Sequence, residues 1–544
     1  MPYYITTPIY YVNAKPHLGH AYTTMLADVA ARAARLIHGP DDVFFLTGTD
    51  EHADKVVNAA AEHGLTPQQW ADQNAQAFKD AFDQLGCTHD DFIRTTEDRH
   101  TSKVHEYVRR LEQSGDIGLG DYTGWYDPGQ EEYVTETVAR EHDFKSPVTG
   151  KPLEERTERN YFFKLSRYES RLIEAIESGE WLIEPDARRN EVLGRLRQGL
   201  RDVPISRAVS EEDPASRWGV LMPDDPSHRV YVWIDALFNY LSAVDTEERE
   251  RFWPADVHVI AKDILWFHAV IWPAMLMALD KPLPKKLYVH AYWMMGERKM
   301  SKSLGNFVSV PELVAYADRY SLDAVRWFLA TQGPVGANDA EFSYPRFVDV
   351  YNADLANGFG NSTSRVGNMI AKYFDGQMPD AKGATNVEGG LDGSDWPTLA
   401  QEAASKARAG FESFDIKAAL DAGLDLVRAV DGYINQTAPF RLAKTLDEQP
   451  ENRDRLAAIL AHCAEALRIA SIILSPALPD KTHELWRNWN CQPKPNERFD
   501  DLVQWGRLAP GTAISKGEVL FMRADPKLDQ PMPKGIESDP ASES

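Results

Sequence analysis

Cysteine is scarce: Cys87, Cys463 and Cys491 are the only three in 544 residues. They stand far apart and in no metal-ligand spacing, which excludes a disulfide framework and a cysteine zinc knuckle. Long apolar runs are missing too, since no stretch approaches the roughly 20 uninterrupted apolar residues that a membrane span needs. The opening Met1-Pro2-Tyr3-Tyr4-Ile5 lacks the basic region and apolar core of an export signal, so a cytoplasmic location is expected. Positive charge is in deficit, with 59 Lys and Arg against 83 Asp and Glu and a formal net charge of -24. Phosphates need Lys and Arg close by, so any nucleic-acid contact must use confined basic patches on an otherwise acidic, solvated surface.

What is present describes a globular protein of several modules. Hydrophobic residues make up 43% and charged residues 26% of the chain, ample material for buried cores at this length. Tyr3 to Thr7 and Val43 to Leu46 read as strands. Between them Ala21, Met25, Val29, Ala33 and Leu36 recur at helical spacing until Gly39-Pro40. This strand-helix-strand unit predicts a parallel, Rossmann-like sheet. Apolar runs of the same kind return at Val230-Tyr231-Val232-Trp233-Ile234, Val257 to Ile260 and Leu287 to Val289, so the sheet is expected to be split by an insertion. Turn signals such as Asp127-Pro128-Gly129 and Val148-Thr149-Gly150 mark that insertion as partly β. Beyond Ser309 the pattern is helical nearly to Cys491. Gly376 to Pro397 is expected to loop out between bundle helices, and Pro531 to Ser544 to be a disordered tail.

Two motifs carry chemistry. Pro16-His17-Leu18-Gly19-His20 sits where the first strand gives way to a helix. Backbone N–H groups and the helix dipole favour an anion there, two imidazoles add donors, and Gly19 leaves room for a flat ring. In isolation such a pair could as well be core or surface histidines. Lys299-Met300-Ser301-Lys302-Ser303 follows the last apolar strand. Its two ammonium groups are compact, rotatable charges able to follow a triphosphate as charge builds in a transition state. Alone it would be a basic solvent loop; at opposite ends of one split nucleotide-binding sheet, the two motifs support each other.

The pair resembles the signatures of class I aminoacyl-tRNA synthetases. Thr6-Thr7-Pro8-Ile9-Tyr10-Tyr11-Val12-Asn13, Thr47-Gly48-Thr49-Asp50-Glu51-His52, Ile205-Ser206-Arg207, Val232-Trp233-Ile234-Asp235-Ala236-Leu237 and Lys262-Asp263-Ile264 with Phe267-His268 narrow the resemblance to methionyl-tRNA synthetases, from residue 3 to about residue 520. It implies catalysis by His17, His20, Lys299 and Lys302, with ATP held by these residues, Gly19 and Asp263. It implies a methionine pocket lined by Ile9, Tyr11, Trp233, Ala236, Leu237, Tyr240, Ile264 and His268, with Asp50 near the substrate ammonium. A flexible thioether suits an aromatic slot, and a cation needs a carboxylate. The resemblance also implies anticodon contacts from Asn361, Arg365 and Phe440.

Some positions depart from the family. Ala261 and Ala291 stand where glycine is common, and the extra methyl at Ala261 is expected to cost some ATP affinity. Phe440 replaces a tryptophan after Pro439. Asp127 and Gln130 occupy the place of a Cys-x-x-Cys pair in Trp125-Tyr126-Asp127-Pro128-Gly129-Gln130, so a zinc-free insertion is expected, held together by Trp125, Tyr126, Tyr133, Tyr161, Phe162 and Phe163.

The implied division is a catalytic Rossmann-like domain at 1–115 and 230–308, a connective insertion at 116–229 and a stem-contact linker at 309–345. A helical anticodon-binding domain at 346–505 and an extension at 506–544 complete it. ATP with Mg2+, methionine, and the initiator and elongator methionine tRNAs are the implied ligands, with no metal site of the protein's own. A monomer is expected, because no appended oligonucleotide-binding barrel follows. A class I synthetase for another amino acid would bring a zinc thiolate site or a larger editing insertion. A non-catalytic tRNA-binding relative would not need both signatures.

Overall fold

The structure, a computed structural model, describes residues 2–532 except 130–131, 135, 212, 296–297, 300–306, 389, 392–394 and 529. Its main sheet has six parallel strands in the order Asp91–Arg94, Val43–Asp50, Tyr3–Tyr11, Val257–Ala261, Lys286–His290, Leu182–Glu184. Val43–Asp50 is buried at every position, as a parallel strand covered on both faces must be. The order reverses between Tyr3–Tyr11 and Val257–Ala261, and ligands of such sheets bind in the crevice at the carboxyl ends of the strands there. Register puts Tyr11 beside Asp50 and Ala261 beside His290 at that edge. Gly48 fits the register because a Cβ there would stand 2.0 Å from the Ile93 carbonyl oxygen.

The structure departs from the pattern twice. Leu182–Glu184 pairs with Lys286–His290 as the sixth strand, although it lies inside the stretch assigned to the insertion. A three-residue strand has no periodicity to read. The expected strand at 230–234 divides: Asp225–Val230 joins a small antiparallel sheet, and Val232–Leu237 turns into a short helix as Ile234 and Asp235 N–H groups bond to the Tyr231 carbonyl at 2.9 and 3.1 Å. Short apolar runs do not distinguish strand from helix.

The insertion is built on a long antiparallel ribbon of Ile117–Asp127 with Glu154–Phe163, in which Tyr126 and Phe163 are buried. The expected contributions of the Tyr133 side chain and of Gln130 fall outside the described residues. Two turns meet beyond the ribbon. Gly129 N–H bonds to Asp127 Oδ1 at 2.8 Å, Ser146 Oγ accepts from Val148 and Thr149 N–H at 3.3 and 2.9 Å, and a Cβ on Gly129 would touch Thr149 at 2.9 Å.

A small sheet of Arg298–Lys299, Trp293–Met295 and Ala340–Glu341 leads into the helices. Gly360–Tyr373, Trp396–Ser413, Ile416–Thr437 and Asn452–Leu474 form the bundle, and no helix or strand interrupts 374–395 among the described residues. Asn452–Leu474 is the one described helix long and apolar enough to cross a membrane, and its apolar stretch is entirely buried in the bundle, where a helix apolar all round belongs.

Candidate active site

One cavity of about 640 Å³ opens at the carboxyl ends of the central strands, lined by His17, Gly19 and His20 and also by Asp50, Trp233 and His268. Helix Leu18–His38 starts with a capping box made of imidazoles: Gly19 N–H donates to His17 Nδ1 at 3.0 Å, and His17 N–H donates to His20 Nδ1 at 3.2 Å. Each Nδ1 is therefore an acceptor, which assigns the ring proton to Nε2, the nitrogen able to donate to an anion. The rings stack with centroids 4.0 Å apart. Gly19 is required by His17 itself, whose Cε1 would lie 2.8 Å from a Cβ at that position.

Lys302 lies outside the described residues, and Lys299 is described by its backbone alone, paired with Met294. The chain beyond the loop is anchored to the histidine motif: Leu18 N–H donates to the Val308 carbonyl at 2.9 Å, and His17 bridges to Ser309. Both ends of the lysine segment are thereby tied beside the cavity.

Within the same cavity Trp233 stacks on Phe267 with centroids 4.0 Å apart and an 8° interplanar angle, and Tyr11 meets Trp233 edge-on at 6.1 Å. Ile9, Ala236, Leu237 and Ile264 also line it. His268 Nδ1 lies 3.0 Å from the Ile264 carbonyl, so it carries the proton and Nε2 accepts from the Tyr240 hydroxyl at 2.7 Å. Burial pushes the His268 imidazole down to about 4, so this floor is polar yet uncharged at neutral pH. Asp50, 3% exposed, closes its strand at the slot's edge.

Asp263 borders the same cavity. Burial and the adjacent Asp263 carboxylate raise the Tyr292 hydroxyl above its ordinary value. Lys262 bonds to Asp339 at 2.7 Å, and Asp339 also accepts from Tyr292 N–H at 2.8 Å, which closes the ends of two strands. Ala261 and Ala291 both line this wall. Among the lining residues that sequence reasoning missed are Phe267, Asn239, His290, Tyr292 and Trp293. Phe267, Asn239, His290 and Tyr292 each adjoin a residue singled out from the sequence; nothing local marks Trp293.

The three remaining candidates lie away from this cavity, in the helical region. Asn361 and Arg365 share helix Gly360–Tyr373, where Arg365 pairs with Asp431 at 3.5 Å. Phe440 begins the next turn after Ile416–Thr437 and is 42% exposed.

The family profile "tRNA synthetases class I (M)" matches residues 3–142 and 140–367. A methionine–tRNA ligase of Streptomyces coelicolor is 41% identical over 540 residues, covering 96% of this chain and 97% of that protein. One from Bacillus subtilis is 39% identical over 539 residues, covering 96% and 78%. Among solved structures, Mycobacterium tuberculosis methionyl-tRNA synthetase bound by methionyl-adenylate superposes with a TM-score of 0.84 at 35% identity, over 96% of this chain and 100% of that one.

Proposed function

The chain belongs to the class I (M) tRNA synthetases, the methionyl-tRNA synthetase family, and from that premise we propose how its residues carry out the methionine–tRNA ligase reaction. The observation that carries the reading is one cavity lined by stacked imidazole donors together with an aromatic slot and a buried carboxylate. Methionine enters the slot, its thioether among Ile9, Tyr11, Trp233, Ala236, Leu237, Tyr240, Ile264 and His268 and its ammonium against Asp50. ATP lies toward Gly19 and Asp263, the carboxylate accepting from ribose hydroxyls.

The methionine carboxylate attacks the α-phosphorus in line, pyrophosphate leaves, and methionyl-adenylate remains. A carboxylate needs no general base. Catalysis therefore rests on positioning and on charge stabilisation by His17, His20, Lys299 and Lys302. Magnesium is taken to arrive on the triphosphate as part of the substrate. A ribose hydroxyl of the 3′ adenosine of initiator or elongator methionine tRNA then attacks the mixed anhydride, the 2′ hydroxyl by class I resemblance.

ATP–pyrophosphate exchange with each proteinogenic amino acid tests this reading. Methionine should dominate, and stronger exchange with any other amino acid would overturn the assignment.

The proposed division keeps 1–115 and 230–308 catalytic, with 182–184 added to that sheet. Residues 116–229 are otherwise the connective insertion, 309–345 the stem-contact linker, 346–505 the anticodon-binding bundle and 506–544 an extension. We take the enzyme to act in the cytoplasm, where translation uses its product, and as a monomer.

The insertion is read as zinc-free. Support comes from its two facing turns, closed by hydrogen bonds to Asp127 and Ser146 rather than by thiolates. Elemental analysis of the purified protein is expected to find no stoichiometric zinc, and activity should survive a strong chelator when magnesium is in excess. About one zinc per chain would contradict this.

Phe440, with Asn361 and Arg365, is assigned to the anticodon. A base stacked on an aromatic ring contributes about 1–3 kcal/mol, so Phe440→Ala should raise KM for methionine tRNA roughly ten- to a hundredfold. Amino-acid activation should be untouched, and Phe440→Trp should preserve or improve tRNA binding. The ring's exposure of 42% supports a contact role over packing. If Phe440→Ala lowers Tm by several degrees while tRNA KM stays within about twofold, the assignment falls.

A further inference from the structure

The helix Val232–Leu237, which brings Trp233, Ala236 and Leu237 to the cavity, has six residues. So short a helix cannot hold its own place, because isolated helices under about 12 residues are marginal. Something else must fix Trp233. Asp235 lies two residues on, roughly 200° around the helix from Trp233. It is absent from the cavity wall, and it is 0% exposed.

Both of its oxygens are engaged by imidazoles. His52 Nδ1 lies 2.7 Å from Oδ2, and His100 Nε2 lies 3.0 Å from Oδ1. Burial, which alone would raise this carboxyl, is outweighed by the two rings, and the group is held down at about 2. His100 comes from helix Asp98–Gln113, is itself 0% exposed, and meets Ser242 Oγ at 2.8 Å through Nδ1. His52 follows Asp50 by two residues as the chain leaves the sheet. From the side of the insertion, the Trp218 indole N–H donates to the Glu51 carbonyl at 2.6 Å, with its ring edge-on to His52 at 5.5 Å.

We propose that Asp235 is a positioning residue for methionine activation: its buried carboxylate, gripped by His52 and His100, fixes the spacing between Asp50 and Trp233 and thereby sets methionine affinity. The inference rests on the reading that Asp50 and Trp233 bind methionine. Asp235 touches neither substrate. It acts because each end of the methionine site is one short covalent step from the same hydrogen-bonded node, and a displacement of about 1 Å in such a site is costly.

The test uses the full chain in ATP–pyrophosphate exchange. Asp235→Asn keeps the side-chain shape but turns one oxygen into an amide nitrogen facing a ring nitrogen. It is expected to raise KM for methionine about tenfold or more, with KM for ATP within about twofold of the parent. His100→Gln, which keeps a donor toward Asp235, should raise it less. A merely structural role would lower Tm and the active fraction without moving methionine KM. The proposal is overturned if folded Asp235→Asn has a methionine KM within about twofold of the parent. If that variant does not fold, His52→Gln is judged by the same criterion. Asp50→Asn separates the two levels: an unchanged methionine KM there would sink the pocket assignment itself. A raised KM there, beside an unchanged one in Asp235→Asn, would sink only the role of the node.

Discussion

Lys302→Ala is expected to lower kcat for methionine-dependent ATP–pyrophosphate exchange by roughly 10²–10³ while leaving KM for methionine within about twofold, by analogy with removing one donor from a preorganised charge site. The reason lies in where charge appears. As the α-phosphorus is attacked, negative charge gathers on the departing pyrophosphate, and a lysine ammonium is worth more there than in the ground state. The proposed methionine slot is built from Asp50 and the Trp233–Phe267 stack, residues other than the histidine motif and the lysine segment. Lys299, three residues before Lys302, lies on the strand that pairs with Trp293–Met295. The chain then returns to His17 through Val308 and Ser309. Single-turnover and steady-state exchange measure the effect directly, and an unchanged kcat would remove Lys302 from the mechanism.

Asp28→Ala should cost about 3–5 kcal/mol of stability, seen as a fall in Tm of about 3–10 °C. Asp28 lies midway along Leu18–His38 and is 0% exposed. Arg326, also 0% exposed, reaches it from Leu322–Gln332 at 2.6 Å. Arg32 bonds to the same carboxylate at 2.7 Å, and Thr88 gives both its N–H and its hydroxyl at 2.6 Å. Arg326 also donates to the Pro476 carbonyl at 3.0 Å, just past the central bundle helix, so the node joins the catalytic sheet to the helical region. Truncating Asp28 leaves a buried guanidinium without its counter-charge, which is worse than never having the pair. The double change Asp28→Leu with Arg326→Met should therefore destabilise less than Asp28→Ala alone.

The sign with pH follows from the carboxyl's shift. Burial alone would raise it, but Arg326 and Arg32 bring it down from 3.8 to about 2. A group depressed in the folded state stabilises above its unfolded value and loses that contribution as pH falls through the folded one. The variant's deficit should thus be full above about pH 4 and shrink toward pH 2. A change in Tm under about 1 °C at neutral pH would show that the node is not structurally important.

Much of this protein was determined by local sequence. The first helix is written in apolar residues at three- and four-residue steps and stops at Gly39-Pro40, and the structure runs it over Leu18–His38. His17, Gly19, Asp50, Trp233, Asp263 and His268 were identifiable as residue types in ordered motifs, and they border one cavity. Tertiary structure alone decided three things. Leu182–Glu184 became the sixth strand and Val232–Leu237 a helix, because elements this short carry too little periodicity and take their form from the neighbours that bury them. His268 Nε2 takes its hydrogen bond from the Tyr240 hydroxyl, 28 residues away in the chain, a partner no motif encodes. Asp235 drew attention only as a letter within Val232-Trp233-Ile234-Asp235-Ala236-Leu237. Its partners His52 and His100 lie 183 and 135 residues away in the chain, and only folding brings their donors onto one buried carboxylate, where low dielectric makes the meeting strong.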